Sequence, residues 1–196
     1  MPAPPPAHSD ALAASREHTI DGRPLRVYDG HLPDVASYVQ GLSRAAFTRT
    51  EVARPDTAGY KHWATEIRIE ALVQQPIFEL TRRAVLGFVT PGTAYRPYRA
   101  YTNLASYGDV LFTHTDCLPD QRDLTALWYL CEEWDVEWGG ETVFLDAADE
   151  IAASVLPRPG RLAVFDGAIN HAGRPPARIC YLPRYTLAIK FERQST

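Results

Sequence analysis

His114, Thr115 and Asp116 set an imidazole and a carboxylate two residues apart, and His171 and Arg184 follow later in the chain. Two imidazoles and one carboxylate on one face of an octahedral Fe(II) leave three positions open for a co-substrate and O₂. An arginine farther on can clamp an acidic co-substrate through two parallel hydrogen bonds. Val110–His114 reads as the end of a strand, where residues i and i+2 share a face, so His114 and Asp116 can meet one ion. His171 follows the turn 166–170 and can close the triad. An H-x-D pair also arises by chance, and a single histidine is as readily a surface or core residue.

The last apolar segment adds a constraint. In Arg184–Phe191, alternation sets Arg184, Thr186, Ala188 and Lys190 on one face and Tyr185, Leu187, Ile189 and Phe191 on the other. The apolar set is expected to pack on helices, which leaves the polar set facing an interior where an unpaired arginine is costly. A bound dicarboxylate would satisfy Arg184, with Thr186 donating a further hydrogen bond; a protein carboxylate would also satisfy it. Tyr129, on the strand-like Leu124–Leu130, would need a partner for its hydroxyl if it faced inward, and the same distal carboxylate is one. Ordinary core packing is the alternative.

Helices and strands must hold these groups. Val35, Tyr38, Val39, Leu42 and Ala46 follow helical spacing behind an N-capping Asp34. A second helix starts at Pro76, with Ile77, Leu80, Ala84 and Val85 on one face. After Gly87 short apolar segments alternate with turn signals: 98–104, 110–114, 124–130, 141–145, 155–156, 161–165 and 185–192. Short strands behind helices predict a mostly β protein with flanking helices, its core a double-stranded β-helix, or jelly roll. The expected organisation is a mobile tail over 1–17 and one domain over 18–196, helical to about 87 with the jelly-roll core over 88–196.

Composition narrows the classes. With 196 residues, 45% of them hydrophobic, the chain can bury a substantial core. Twenty basic against 24 acidic residues offer no general attraction for nucleic acid or an anionic membrane. Three scattered cysteines form neither a disulfide framework nor a thiolate zinc site. The Pro- and Ala-rich start is unlike a secretory signal, and no apolar run reaches a membrane span, so a cytoplasmic protein is expected.

Taken in order, these residues resemble the Fe(II)- and 2-oxoglutarate-dependent dioxygenases, in particular the prolyl 4-hydroxylase-like branch. The likeness runs from about Arg99 to Glu192. It rests on H-x-D, the distal His171, Arg184-Tyr185, Trp128-Tyr-Leu130 with Trp134-Asp135, Gly139-Gly140-Glu-Thr142, and Arg158–Phe165. The resemblance implies that His114, Asp116 and His171 hold iron, and that Arg184 and Tyr129 bind the far carboxylate of 2-oxoglutarate. Asn103 matches a co-substrate contact in the related nucleic-acid demethylase branch. The cofactors implied are Fe(II), 2-oxoglutarate and O₂, with ascorbate as a reductant. Asp116 stands where halogenating relatives carry Gly or Ala, which favours hydroxylation. The expected substrate is a small molecule such as an amino acid or natural-product intermediate; the alternatives are a peptidyl-proline or other protein substrate, and a jelly-roll binding protein without catalysis. Tyr60, His62, Trp63, Arg96, Arg99 and Trp138 are candidates for lid and pocket, and the two arginines would suit an acidic substrate.

Overall fold

A two-residue Asp21-Gly22 turn, both residues at positive φ, folds the start of the described chain into a hairpin of β1 (Arg16–Ile20) and β2 (Arg23–Tyr28). The structure, a computed structural model, describes residues 10–195. The helix expected behind Asp34 is α1 (Val35–Ser43), with the Asp34 carboxylate accepting from the Ser37 amide. A hairpin of β3 (Thr48–Glu51) and β4 (His62–Ile67) follows, then α2 (Ile69–Leu72) and α3 (Pro76–Leu86), which opens on Pro76 as the sequence predicts.

The remaining strands are β5 (Thr93–Ala105), β6 (Leu124–Leu130), β7 (Thr142–Leu145), β8 (Ile151–Val155), β9 (Arg161–Asp166), β10 (Asn170–Gly173) and β11 (Arg184–Ser195). They form an antiparallel sheet in the order β1-β2-β9-β6-β11-β5-β4-β3 and a smaller one in the order β10-β7-β8. This is the expected jelly-roll architecture. The stretch before residue 88 differs from its helical expectation, since β1 to β4 extend both edges of the large sheet. Of the expected tail over 1–17, residues 1–9 lie outside the described residues, while Arg16 and Glu17 already pair in β1.

Two apolar layers follow from the two faces of the large sheet. Tyr185, Leu187, Ile189 and Phe191 of β11 pack with Trp128, Leu72, Ile77, Ala84 and Val85 on the helical side, as alternation predicts. Ala188, Leu127, Tyr129, Phe144 and Phe165 fill the space between the sheets. Trp128 ties α3 down as well, donating its indole N–H to Thr81 Oγ1 at 2.8 Å. Burying one such large side chain contributes roughly 1.5–3 kcal/mol. Among the described residues, no helix is long and apolar enough to cross a membrane.

The turn between β8 and β9 docks α1. Gly160 has φ +63°, and a Cβ there would stand 2.9 Å from Val35 Cγ2 and 3.0 Å from Leu32 Cβ. Gly160→Ala is expected to destabilise the protein, since the left-handed backbone costs about 1–2 kcal/mol and overpacking about 1–3 kcal/mol. Urea unfolding measures this; a midpoint equal to wild type would show that the turn relaxes freely.

Candidate metal and co-substrate site

The segment 106–123 leaves the sheet after β5. Gly108 turns at φ +91°, and Asp109 takes the Ser106 amide at 2.8 Å. Contrary to the sequence expectation, 110–114 is not a ladder strand, because among the described residues its backbone pairs with another backbone only at its end. There His114 and His171 exchange N–H···O bonds of 2.9 and 3.0 Å. Two residues on, the Asp116 amide donates to the Gly167 carbonyl at 2.7 Å. Backbone pairing with β10 and with the turn before it thus brings the triad together, in place of a shared strand face.

Potential donor atoms of His114, Asp116 and His171 all lie within 4.8 Å of one another. Each histidine holds its Nδ1 against a backbone carbonyl, His114 at Phe112 (3.0 Å) and His171 at Ile169 (2.9 Å). A carbonyl can only accept, so Nδ1 carries the proton and Nε2 keeps a lone pair for a metal. His171 is 5% exposed and packs between the rings of Phe144 and Phe165. Burial pushes its pKa down to about 4, against the pull of the Asp116 carboxylate, so the ring is neutral at physiological pH. Burial would raise the Asp116 pKa, but the Lys190 ammonium, then His171 and His114, hold it well below the usual carboxylate range. Two imidazoles that each present Nε2 beside an ionised carboxylate, with no cysteine among the three, fit Fe(II).

Arg184, 3% exposed, opens onto the same cavity. Among the described residues no carboxylate lies within 4.0 Å of its guanidinium, so the protein-partner alternative is not realised. Its Nε donates to the Gly140 carbonyl at 2.5 Å and its Nη2 to Thr142 Oγ1 at 2.9 Å. Gly140, at φ +74°, makes the approach possible: a Cβ there would lie 2.9 Å from Trp134 and 3.3 Å from Arg184 Cδ. Burial lowers the guanidinium pKa from its usual value. A buried arginine with N–H groups to spare and no counter-ion among the described residues fits an acidic co-substrate.

The other predicted residues distribute as follows. Thr186 and Asn103 are register partners on β11 and β5, and both line the cavity. The Asn103 Oδ1 is buried without a hydrogen-bond partner. Tyr129 lies behind Thr142: its hydroxyl donates to Thr142 Oγ1 at 2.7 Å, and its ring lies 5.4 Å from the Arg184 guanidinium carbon. It therefore meets Arg184 through its ring and through Thr142. Burial raises its pKa. His62 lines the cavity with Nε2 buried and unpartnered. Arg99 pairs with Glu51 and Glu66, and Arg96 with Glu192, so neither arginine is free to receive an acidic substrate. Trp138 packs edge-on against Trp134.

Among the cavity residues without an assigned role in the sequence are Lys190, Thr125 and Tyr101. Lys190 pairs with Asp116, and the Thr125 hydroxyl donates to Asp116 Oδ2 at 2.5 Å. Period-two alternation places Lys190 with Arg184 and Thr186, and the same rule applied to β6 places Thr125 with Leu127 and Tyr129. That signal was available.

Residues 102–191 match the family model of the 2OG-Fe(II) oxygenase superfamily. No curated protein matches the chain. Among solved structures, a Pseudomonas putida prolyl-4-hydroxylase is similar at TM-score 0.62 and 21% identity, covering 87% of this chain and 93% of its own. A Trichoplax adhaerens prolyl hydroxylase, solved with a hypoxia inducible factor oxygen degradation domain peptide, gives TM-score 0.61 at 17% identity, covering 86% and 83%. The non-heme alpha ketoglutarate dependent epimerase SnoN from nogalamycin biosynthesis gives 0.59 at 18%, covering 86% and 78%.

Proposed function

We propose that this 2-oxoglutarate-dependent dioxygenase, with its domain of the 2OG-Fe(II) oxygenase superfamily, hydroxylates an unactivated C–H bond of a small molecule such as an amino acid or natural-product intermediate. The observation that carries the site assignment is a buried arginine, with no carboxylate within 4.0 Å of it among the described residues, that opens onto the same cavity as the His-Asp-His cluster. His114, Asp116 and His171 would hold Fe(II), and Arg184 the far carboxylate of 2-oxoglutarate, with Thr186 and Asn103 alongside. Tyr129 supports Arg184 through Thr142.

When bound, iron and 2-oxoglutarate supply the oxidation, using O₂ and releasing succinate and CO₂ as the substrate carbon gains a hydroxyl. The protein's own part is positional. The Phe112 and Ile169 carbonyls fix both imidazole tautomers, so Nε2 needs no proton transfer before it ligates. Burial of His171 and Arg184 keeps bulk water from the reacting groups. Val52, Ala53, Leu111 and His62 form an apolar wall with one imidazole, a surface suited to a compact substrate.

A protein substrate is the second reading. It is favoured by the exposed Tyr60 (59%), Tyr107 (62%), Val110 and Trp63, which could seat a peptide. The prolyl hydroxylases among the similar folds, one bearing a peptide, agree with it. A screen of succinate release over free amino acids, natural-product intermediates, peptides and folded proteins separates the two, with mass spectrometry reading the gain of one oxygen. The small-molecule reading expects turnover of free compounds; hydroxylation confined to peptides or proteins would replace it.

A further inference from the structure

β11 carries a second cation into the cavity. Lys190 is 6% exposed and shares the face of Arg184 and Thr186. Its ammonium pairs with Asp116 Oδ2, lies 3.2 Å from Thr125 Oγ1, and stands 5.9 Å from the Tyr101 ring centroid. Asp116 is therefore shared between Lys190 and the two histidines. Oδ2 accepts from Lys190 and Thr125 and also lies 3.6 Å from His171 Nε2, while Oδ1 lies 3.5 Å from His114 Nε2. From the neighbouring strand Arg99 is engaged by Glu51 and Glu66, so Asp116 is the carboxylate that Lys190 answers.

A divalent ion held by His114, Asp116 and His171 would sit one carboxylate away from this fixed ammonium. Like charges so close in a buried cavity repel, and solvent screens them little. An anion arriving at the same ion is attracted by both. We propose that Lys190 is a second anion-binding residue of the cavity, which weakens the hold on the metal alone and strengthens the hold on the dianionic 2-oxo acid. The inference rests on the assignment of the metal and 2-oxoglutarate sites made above. It gives Lys190 a role distinct from that of Arg184, which stands at the other end of the cavity-facing row.

The test uses the full chain with Mn(II), free of O₂. Electron paramagnetic resonance of unbound Mn(II) gives the metal affinity, and calorimetric titration of the Mn(II)-loaded protein with 2-oxoglutarate gives the co-substrate affinity. Lys190→Met is expected to bind Mn(II) about tenfold more tightly or better, and 2-oxoglutarate about tenfold more weakly or worse. Lys190→Arg, which keeps the charge, should retain both wild-type affinities. Opposite shifts in one variant are a signature that simple destabilisation does not give, since a damaged site loses both ligands. Unchanged affinities, or a loss of both, would overturn the proposal. Should Lys190→Met not fold, Lys190→Gln keeps a donor for Asp116 without the charge and carries the same expectation. Wild-type protein that binds neither Mn(II) nor 2-oxoglutarate would instead sink the underlying site assignment.

Discussion

Asp116→Ala is expected to abolish turnover and bound iron together, and to cost the fold about 3–5 kcal/mol because it leaves a buried ammonium unpaired. The two losses have different origins. Iron loses its proposed anionic ligand, whereas the fold loses the counter-ion of Lys190, which is 6% exposed. Asp116→Asn separates them. The amide keeps the shape and an acceptor for Thr125 and Lys190, so less of the stability is lost, while the anionic donor is gone. Iron content after anaerobic loading and urea unfolding of both variants measure the two effects. Retention of one equivalent of iron by Asp116→Ala would mean that Asp116 is a structural ion-pair partner and no ligand.

Arg184→Ala acts on the other end of the cavity. Hydrogen bonds to a charged group contribute roughly 1.5–3 kcal/mol each, so losing the two of a bidentate clamp weakens 2-oxoglutarate binding by about a hundredfold or more. Metal affinity should stay within a few-fold of wild type, because Arg184 touches Gly140 and Thr142 and none of the three proposed ligands. Arg184→Lys keeps the charge and loses the planar fork, and should recover only part of the affinity. Calorimetric titration of Mn(II)-loaded variants reads the effect directly. Equal affinity for 2-oxoglutarate in Arg184→Ala and wild type would leave the buried guanidinium without a ligand role.

Much of this arrangement was legible where one physical period governs. Alternation along β11 sorted Tyr185, Leu187, Ile189 and Phe191 to the helical side and Arg184 and Thr186 to the cavity. Proline at the first position of α3 and the Asp34 cap of α1 also announced their elements. The N-terminal strands were harder. β3 is polar and mostly exposed, so no apolar face marks it. The Asp21-Gly22 turn, with Leu25 and Val27 alternating after it, is a hairpin signal that the expectation of a helical N-terminal part passed over. The irregular path of 106–123 was not legible, because long-range backbone bonds to His171 and Gly167 set it. The Tyr129 hydroxyl could not be placed either: its partner, Thr142, comes from the other sheet.

β11 lies between β6 and β5, hydrogen-bonded along both edges. A slip of one residue would turn Leu187 and Ile189 into the cavity and drive Arg184 and Lys190 into the helix-side core. The spacing between the two cations is thus a rigid ruler with graduations of whole residue pairs. Such a ruler cannot be stretched a little to admit a longer diacid. If Arg184 and Lys190 hold the co-substrate as proposed, its chain length is measured against a strand that has no half-steps, and any retuning must come from side-chain reach at its ends.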